Sequence, residues 1–570
     1  MTSGSTTTVT GSIEWYAQSQ PVYIEFFSNT AADASGYGEG KTYLGYVQVT
    51  TDATTGDASF SATLAGVSVG EWITAVANIE GGPTGASEFA LAVQAVAPAN
   101  APRGKVIWNT NDRVFQQYAD WSSVGFGGTG VNGLNFGDDI SMITAVEAPT
   151  REEILFVGSA DASGKILAGI WNGSSWSSVI SVPVGTPSAT AGQYNSFAVA
   201  YDEANGNAML IWDNGNTGTT GLSYAIWDGT SWSATNTITA PISGEPVHMK
   251  LAASPSSHDM VLVVETTAAS NNQYAIVWNG SSWGNAQTLG SNSSKQYFEL
   301  NVAYEQQSGQ AMVIYDASGS NSASVQYRTW NGSAWSSEGT VAAPSGITST
   351  SELYTTVITS DAGSDRIAIG AKNALNEVWF AVWDGSAWGT GVAATTSGVT
   401  LADHHATMDL AFESQSGDLL AAYGKAAGPD LYYRTWTSGG GWSGESTGPS
   451  VGGVDIPYVV KLYADPYTNT IMLGVQDNAS DLSMVTWNGT AWGTVTVLDA
   501  ATVHTYRENF TYVWYRDAAV ISGLDGDSLS YAEDSAATPI DQGGNASVAV
   551  DAPGDYNGGN LTVSFTSGST

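Results

Sequence analysis

The sequence predicts an all-β protein, because one hairpin motif recurs, its spacing is regular, and a second hairpin precedes each copy. The motif is tryptophan, Asn or Asp, Gly, two small residues and tryptophan, and the sixth copy is one residue longer. The seven copies are Trp171–Trp176, Trp227–Trp232, Trp278–Trp283, Trp330–Trp335, Trp383–Trp388, Trp436–Trp442 and Trp487–Trp492. Their second tryptophans are 56, 51, 52, 53, 54 and 50 residues apart, a period that indicates an array of one supersecondary unit.

Each copy is typical of a tight β-hairpin. Asn-Gly and Asp-Gly favour such turns because both residues tolerate positive φ angles. We expect the two tryptophans to face each other on adjacent strands, where an aromatic pair contributes up to about 1 kcal/mol. A second predicted hairpin precedes the motif, as at 301–316 and 409–424. Each period therefore holds four antiparallel strands, and a radial array of such units is a β-propeller.

The ends of the array predict how it closes. The segment 105–124 has the features of a second hairpin without its first, since Trp121 lies 55 residues before Trp176. The segment 508–522 has the features of a first hairpin without its second. Pairing them in one composite blade removes exposed strand edges. Seven complete units and this composite blade predict eight blades over 105–522, about 52 residues each.

Charge and composition exclude several classes of partner. The chain of 570 residues has 16 Lys and Arg against 53 Asp and Glu, a formal net charge of −37. Nucleic acids and anionic membranes need basic surfaces, so neither is an expected partner, whereas divalent cations are compatible. The absence of cysteine excludes disulfides and thiolate sites. No apolar run approaches the roughly 20 residues of a membrane span, so we expect no membrane insertion.

Residues 1–98 do not follow the period, and 99–104 (ANAPRG) is the predicted linker. Short alternating strands with turn signals between them predict a β-sandwich. The stretches VYIEFFSN, SGYGEGKTYLGYVQVTTD and GDASFSATL closely resemble an immunoglobulin-like module of large bacterial surface and secreted proteins. The resemblance covers about the first 95 residues and implies an immunoglobulin-like β-sandwich.

Residues 523–570 change character again. The stretches LSYAED, ATPID and NGGNLTVSF resemble the opening of cadherin-like modules in bacterial calcium-dependent adhesins. Only about half of the roughly 100 residues of a sandwich domain are present, which predicts a partial cadherin-like β segment. Either the natural chain continues past Thr570, or this tail completes its sheet by strand addition to another molecule.

Acidic residues gather in this tail without a nearby Lys or Arg. Calcium takes six to eight oxygen ligands, and loop carboxylates supply them well. Together with the resemblance, the pattern predicts calcium as the cofactor, and the alternative is a solvated acidic loop. The predicted metal ligands are Asp525, Asp527, Glu533, Asp534, Asp551 and Asp555.

The repeat array resembles bacterial tryptophan-rich propellers, including lectin-like ones with a W-D/N-G-x-x-W hairpin. This resemblance is specific for the fold and a weak guide to function. It implies carbohydrate binding, in which aromatic faces stack on sugars. The alternative is that the tryptophans pack the blades together, as expected of a feature in every blade. The candidate carbohydrate-binding residues are Trp176, Trp232, Trp283, Trp335, Trp388 and Trp492.

Signatures of catalysis are few. A propeller sialidase needs clustered arginines, a nucleophilic tyrosine and a carboxylic acid. Arg328 and Arg434 occupy equivalent positions in two YRTW stretches, so we expect them on different blades in one structural role. No aspartate box, G-x-S-x-G, P-loop or zinc signature occurs.

The sequence therefore predicts a non-enzymatic extracellular or cell-surface bacterial protein. Its expected role is adhesion or the building of a matrix or fibre, with copies of itself joined head to tail through the terminal β modules. The first alternative is a lectin-like propeller whose partners are cell-surface or matrix glycans. The second alternative is a glycosidase.

Overall fold

The computed structural model describes residues 2–3, 6–14, 19, 21–30, 37, 40–65, 71–78, 87, 89–90, 92–94, 104–109, 115–122, 125–126, 131–135, 140–149, 151, 153–160, 164–172, 175–183, 195–268, 272–290, 299–316, 322–399, 407–426, 428–451, 455–466, 468–500, 502, 508–514, 520–522 and 547–549. All regular elements within these ranges are β-strands, as the sequence predicts. They fall into two compact units, one containing the N-terminal strands and the other containing the repeats.

Seven N-terminal strands form two antiparallel sheets. They are β1 (Thr2–Ser3), β2 (Thr6–Glu14), β3 (Pro21–Asn29), β4 (Thr42–Thr50), β5 (Asp57–Ala65), β6 (Trp72–Asn78) and β7 (Val93–Gln94). The strand orders are β1-β2-β5 and β4-β3-β6-β7. Ile24 and Phe26 of β3 share a buried cluster with Leu64 of β5, so the sheets pack face to face. The immunoglobulin-like assignment of this unit remains a prediction.

Four further strands precede the repeats: β8 (Gly104–Asn109), β9 (Phe115–Ser122), β10 (Gly125–Phe126) and β11 (Val131–Asn135). The first repeat comprises β12 (Ile140–Glu147), β13 (Ile154–Ala160), β14 (Lys165–Trp171) and β15 (Trp176–Pro183). The second comprises β16 (Phe197–Tyr201), β17 (Ala208–Asp213), β18 (Leu222–Trp227) and β19 (Asn236–Ile238). The third comprises β20 (Pro246–Ala253), β21 (Asp259–Thr266), β22 (Gln273–Asn279) and β23 (Trp283–Gly290).

The fourth repeat comprises β24 (Asn301–Tyr304), β25 (Ala311–Asp316), β26 (Val325–Trp330) and β27 (Gly339–Val341). The fifth comprises β28 (Leu353–Ser360), β29 (Ile367–Asn373), β30 (Val378–Trp383) and β31 (Val392–Thr395). The sixth comprises β32 (Met408–Phe412), β33 (Leu419–Gly424), β34 (Asp430–Thr437), β35 (Gly441–Trp442) and β36 (Ser446–Ser450). The seventh comprises β37 (Pro457–Ala464), β38 (Ile471–Asp477), β39 (Leu482–Trp487) and β40 (Thr496–Asp499). Then come β41 (Phe510–Trp514), β42 (Val520–Ser522) and β43 (Ser547–Ala549).

Each repeat is an antiparallel sheet in meander order, as expected of a propeller blade. The second strands are nearly continuous apolar runs, such as AMLIWD in β17. Strands β17, β25, β29, β33 and β38 are buried at every position. Such runs suit strands that are covered on both faces. Six buried clusters each combine side chains of two consecutive repeats, so the core lies between the sheets.

The two ends of the array meet in one sheet, but they share it differently from the sequence-based expectation. Strand β41 pairs with β8, and β9 and then β11 follow beyond β8. The C-terminal segment therefore supplies one strand rather than a hairpin, and β42 pairs with β43 instead. The reason lies in burial: Val106, Ile107 and Trp108 of β8 are at most 1% exposed, which suits the interior of a sheet.

The first strands of successive repeats lie side by side, and β41 lies between β37 and β12. The closing sheet is also joined to the seventh repeat by a hydrogen bond, because the indole Nε1 of Trp108 donates to Asp499 Oδ2 at 3.0 Å. Closure thus depends on a strand from the beginning of the array and one from its end.

Replacing Trp108 with Ala tests this closure. The substitution removes a fully buried ring and its bond to Asp499, so we expect the free energy of unfolding to fall by about 3–5 kcal/mol. Urea denaturation measures the loss. The control is Val497→Ala on the outer strand β40, where the side chain is 56% exposed, and its expected effect is within about 0.5 kcal/mol. Equal midpoints for both variants would show that β8 does not close the array.

A second prediction concerns Asp213, a buried carboxyl at the end of β17. Burial raises its pKa to about 7, although the backbone N–H of Gly215 donates to it. The folded state holds this proton more tightly than the unfolded chain, so ionisation lowers stability as pH rises from about 4 to 7. We expect Asp213→Asn to stabilise the protein relative to wild type at pH 8 and to lose that advantage at pH 4. Thermal melting at both pH values measures this, and a pH-independent difference contradicts it.

Candidate functional site

The tryptophans of all seven motifs face each other across antiparallel strands, which confirms the predicted hairpin geometry. In six of the pairs the ring centroids are 5.2 to 5.6 Å apart. The connecting turn needs its glycine, since Gly332 has a φ of +85°. The Asn or Asp before it accepts backbone bonds within the turn; Asn331 Oδ1, for example, accepts from the N–H groups of Ser333 and Ala334. The geometry of the turn therefore explains why the motif has Asn or Asp followed by Gly.

The first tryptophan of a motif binds the preceding repeat. In four of the seven motifs its indole Nε1 donates to a carboxylate between the first and second strands of that repeat, or at the start of the second. Three of these acids are buried and Asp259 is half-buried. The bonds are Trp227 to Glu153 (2.9 Å), Trp330 to Asp259 (3.3 Å), Trp383 to Glu305 (2.6 Å) and Trp487 to Glu413 (2.8 Å). This position holds the repeats together rather than forming a ligand site.

The second tryptophans are half-buried and also contact the preceding repeat. Trp388 lies 5.7 Å from the ring of Tyr327, and Trp492 lies 5.5 Å from that of Tyr433. Trp335 instead donates its Nε1 to the carbonyl of Asn285 at 2.7 Å. The candidates Trp176, Trp232, Trp283, Trp335, Trp388 and Trp492 thus all pack within or between repeats, and their binding of carbohydrate remains a prediction.

A different set of residues distinguishes two repeats from the other five. In the fourth repeat Tyr315 donates its hydroxyl to Glu338 at 2.8 Å, and Arg328 donates Nη1 to the carbonyl of Ser336 at 2.7 Å. The sixth repeat has the same arrangement. There Tyr423 donates to Glu445 at 2.7 Å, and Arg434 donates to the carbonyl of Ser443 at 2.7 Å. We call these the fourth-repeat and sixth-repeat clusters.

Each cluster lies at the packing interface with the preceding repeat. Tyr315 shares a buried cluster with Val261 and Val263 of the third repeat. Tyr423 lies 5.8 Å from the ring of Phe380 in the fifth repeat, and its hydroxyl is 3.2 Å from the carbonyl of Ala394. Each cluster therefore lies between two repeats, and we call these two places the fourth-repeat and sixth-repeat clefts.

Electrostatics couples the members of each cluster. Burial chiefly raises the pKa of both tyrosine hydroxyls well above the ordinary value, and the neighbouring glutamate raises it further. Arg328 and Arg434 act in the opposite direction on the same hydroxyls. The tyrosines consequently remain protonated donors, while the half-buried arginines and the glutamates border the clefts.

The two arginines stood out in the sequence as equivalent residues, but their partners did not. In both repeats Arg lies two positions before the first tryptophan and Glu lies three positions after the second. The other five repeats have Gly, Ala or an aliphatic residue at the first position and no acid at the second. The concerted change of Tyr, Arg and Glu in two of seven repeats was the signal that could have revealed the clusters.

Charged side chains also meet where the first strands lie side by side. Lys461 Nζ is 2.7 Å from Glu508 Oε1, and Asp409 Oδ2 accepts the N–H of Leu462 at 2.8 Å. Lys250 lines a cavity of about 180 Å³ together with Glu508. Burial lowers the pKa of Lys250 and raises that of Asp409. The two lysines and the two acids of this group compensate each other's charge. The group is therefore explained by charge pairing within the protein, without a ligand.

The predicted calcium ligands Asp525, Asp527, Glu533, Asp534, Asp551 and Asp555 lie outside the described residues. Within the described part of the chain, no three His, Cys, Asp or Glu side chains converge on a metal position. Nor does that part contain a helix with the length and apolarity that a membrane span requires.

Replacing Trp487 with Phe tests the bond between repeats. The change removes the donor to Glu413, a buried carboxylate, and we expect a loss of about 2–3 kcal/mol in unfolding free energy. Trp492→Phe is the matched control, because its Nε1 has no hydrogen-bond partner among the described residues. Urea denaturation compares the two, and equal losses would mean that ring size rather than the bond matters.

No family model and no curated protein matches this chain. Among solved structures, the BP39L lectin from Burkholderia pseudomallei is similar over 63% of this chain and 99% of that chain, at 11% identity and a TM-score of 0.45. A fucose-specific lectin from Aleuria aurantia is similar over 54% of this chain and 94% of its own, at 18% identity and a TM-score of 0.34. NanB, in its structure with Optactamide, is similar over 74% and 92%, at 10% identity and a TM-score of 0.34. At these identities the likeness is one of fold alone.

Proposed function

We propose that this chain is a non-catalytic carbohydrate-binding protein, with saccharide sites in the clefts beside the fourth-repeat and sixth-repeat clusters. The observation that carries the proposal is that Tyr, Arg and Glu change together in only these two repeats. The five remaining repeats build the same sheet without them. A set that the fold does not require is a candidate for binding rather than for stability.

The free-energy cost of burying the two arginines supports a binding role. The Nε atoms of Arg328 and Arg434 are buried and have no hydrogen-bond partner among the described residues. A buried donor without a partner costs about 1–3 kcal/mol, and the apolar residues of the other repeats avoid this cost. A ligand oxygen that enters the cleft would satisfy such donors.

The chemistry of the clusters fits sugar hydroxyls. A guanidinium presents several donors in a fixed fork, and a carboxylate accepts, so together they can bind adjacent hydroxyl groups. Aromatic rings line the same cleft beside the sixth-repeat cluster, where Trp442 stacks on Phe380 with centroids 5.7 Å apart. Polar groups that converge on an apolar, aromatic wall are the usual composition of a small-molecule site.

Binding fits these clusters better than hydrolysis does. Tyr315 and Tyr423 are at most 1% exposed, and both hydroxyls already donate to a glutamate. A protonated, buried hydroxyl is a poor nucleophile. Each cluster also has one carboxylate, whereas most glycoside hydrolases use two.

The architecture that we infer around these sites is an eight-bladed β-propeller. Its support is the placement of β41 between β37 and β12, beside the seven repeats. The extracellular bacterial location, the calcium site and the head-to-tail assembly through terminal modules remain predictions, and so does the adhesion or fibre role based on them.

A glycan array with purified protein tests the proposal. We expect wild type to bind, Arg328→Ala and Arg434→Ala each to remove one of two sites, and the double variant to lose binding at least about tenfold. Lys165→Ala is the control, because it removes an exposed cation from the first repeat. Melting temperatures verify folding. A folded double variant that binds like wild type would exclude these clefts.

A further inference from the structure

We propose that the two clefts differ in ligand charge: the sixth-repeat cleft takes an anionic saccharide, with a carboxylate or sulfate group, and the fourth-repeat cleft takes a neutral one. This inference rests on the proposed function and adds the class of ligand. It depends on one residue of the sixth-repeat cluster whose sequence counterpart in the fourth repeat is uncharged.

That residue is Lys425. Its Nζ lies 2.6 Å from Glu445 Oε1 and 3.9 Å from the centroid of the Tyr432 ring. Its backbone forms a bridge with Gly398 of the fifth repeat, so the lysine is anchored at the border of the cleft. The side chain is 19% exposed, which leaves part of it open to solvent.

The counterpart of Lys425 in the fourth repeat is Ala317, since both lie two positions after the cluster tyrosine. Among the described residues, the fourth-repeat cluster has one cation, Arg328, and one anion, Glu338. The sixth-repeat cluster has two cations, Arg434 and Lys425, for the single anion Glu445. A surplus of one positive charge remains at the sixth repeat.

The carboxylate of Glu445 is ionised at neutral pH, so this charge count holds. Burial raises its pKa, but hydrogen bonds from Lys425 and Tyr423 outweigh that effect and leave the pKa below the ordinary value. Both oxygens of Glu445 are therefore already engaged by residues of its own repeat. The buried Nε of Arg434 has no hydrogen-bond partner among the described residues, so it can donate to a ligand oxygen. A guanidinium prefers an acidic group as its partner.

The rest of the molecule makes this local charge unusual. The chain has only 16 Lys and Arg in 570 residues and a formal net charge of −37. Two of these cations lie in one cluster, against the general bias of the protein. Anionic ligands are repelled elsewhere, so a site for them requires such a local excess.

The experiment uses two full-length backgrounds in which only one cleft is intact. Arg328→Ala retains the sixth-repeat cleft, and Arg434→Ala retains the fourth-repeat cleft. Each is titrated with an array panel of uronate-containing and sulfated glycans and with their neutral counterparts. We expect the Arg328→Ala chain to prefer the anionic members by about tenfold or more, and this preference to weaken with added salt.

Reciprocal substitutions then locate the preference. In the Arg328→Ala background, Lys425→Ala should reduce the ratio of anionic to neutral affinity about tenfold, and Lys425→Arg should retain it. In the Arg434→Ala background, Ala317→Lys should raise the same ratio. If Lys425 only braces Glu445, Lys425→Ala will lower melting temperature and both affinities equally, and the inference is overturned.

The outcomes separate the two proposals. Absence of binding to any glycan by folded wild type rejects the proposed function itself. Binding with the same preference in both backgrounds rejects the charge difference and leaves the proposed function standing.

Discussion

The array depends on donors that satisfy the acids between adjacent repeats, and at four junctions the donor is a tryptophan indole of the following repeat. An ionised carboxylate that is buried without a partner is expensive, so each such acid needs a donor from the neighbouring sheet. Trp487 and Glu413 show the arrangement at 2.8 Å. The same contact packs the ring into the core between two repeats. One residue thus supplies both the apolar burial and the polar partner that join adjacent sheets.

The variations follow the same requirement. Asp202 of the second repeat receives His258 of the third at 2.8 Å instead of an indole. Asp361 of the fifth repeat is held by Arg366, whose guanidinium lies 5.7 Å from the ring of Trp436 in the sixth. In both cases a buried acid has a donor, and the next repeat either supplies that donor or contacts it. At each of these junctions the carboxylate has a donor. The donor is an indole, an imidazole or a guanidinium.

The tryptophan motifs and the Tyr, Arg and Glu clusters have different roles in the structure. The tryptophan motif occurs in every repeat and is engaged in packing, so its presence says little about ligands. The Tyr, Arg and Glu set occurs in two repeats, faces the clefts and leaves arginine donors unsatisfied. Lys425 adds a second cation to the sixth-repeat cluster. Repetition identifies what builds the fold, and departure from repetition identifies what the fold can be used for.

The sequence by itself determined the all-β class, the repeat length, the hairpins and the facing tryptophan pairs, because these depend on turn chemistry and local alternation. The division of the closing sheet was decided by tertiary structure, since only packing shows that β8 is buried on all sides between β41 and β9. The sequence placed Arg328 and Arg434 at equivalent positions of different repeats, but it did not show which residues they contact. Their partners lie 10 to 13 residues away on other strands or segments, and their cleft requires a second repeat. Contacts between repeats depend on the rotation of one sheet against the next, and no local pattern encodes that rotation.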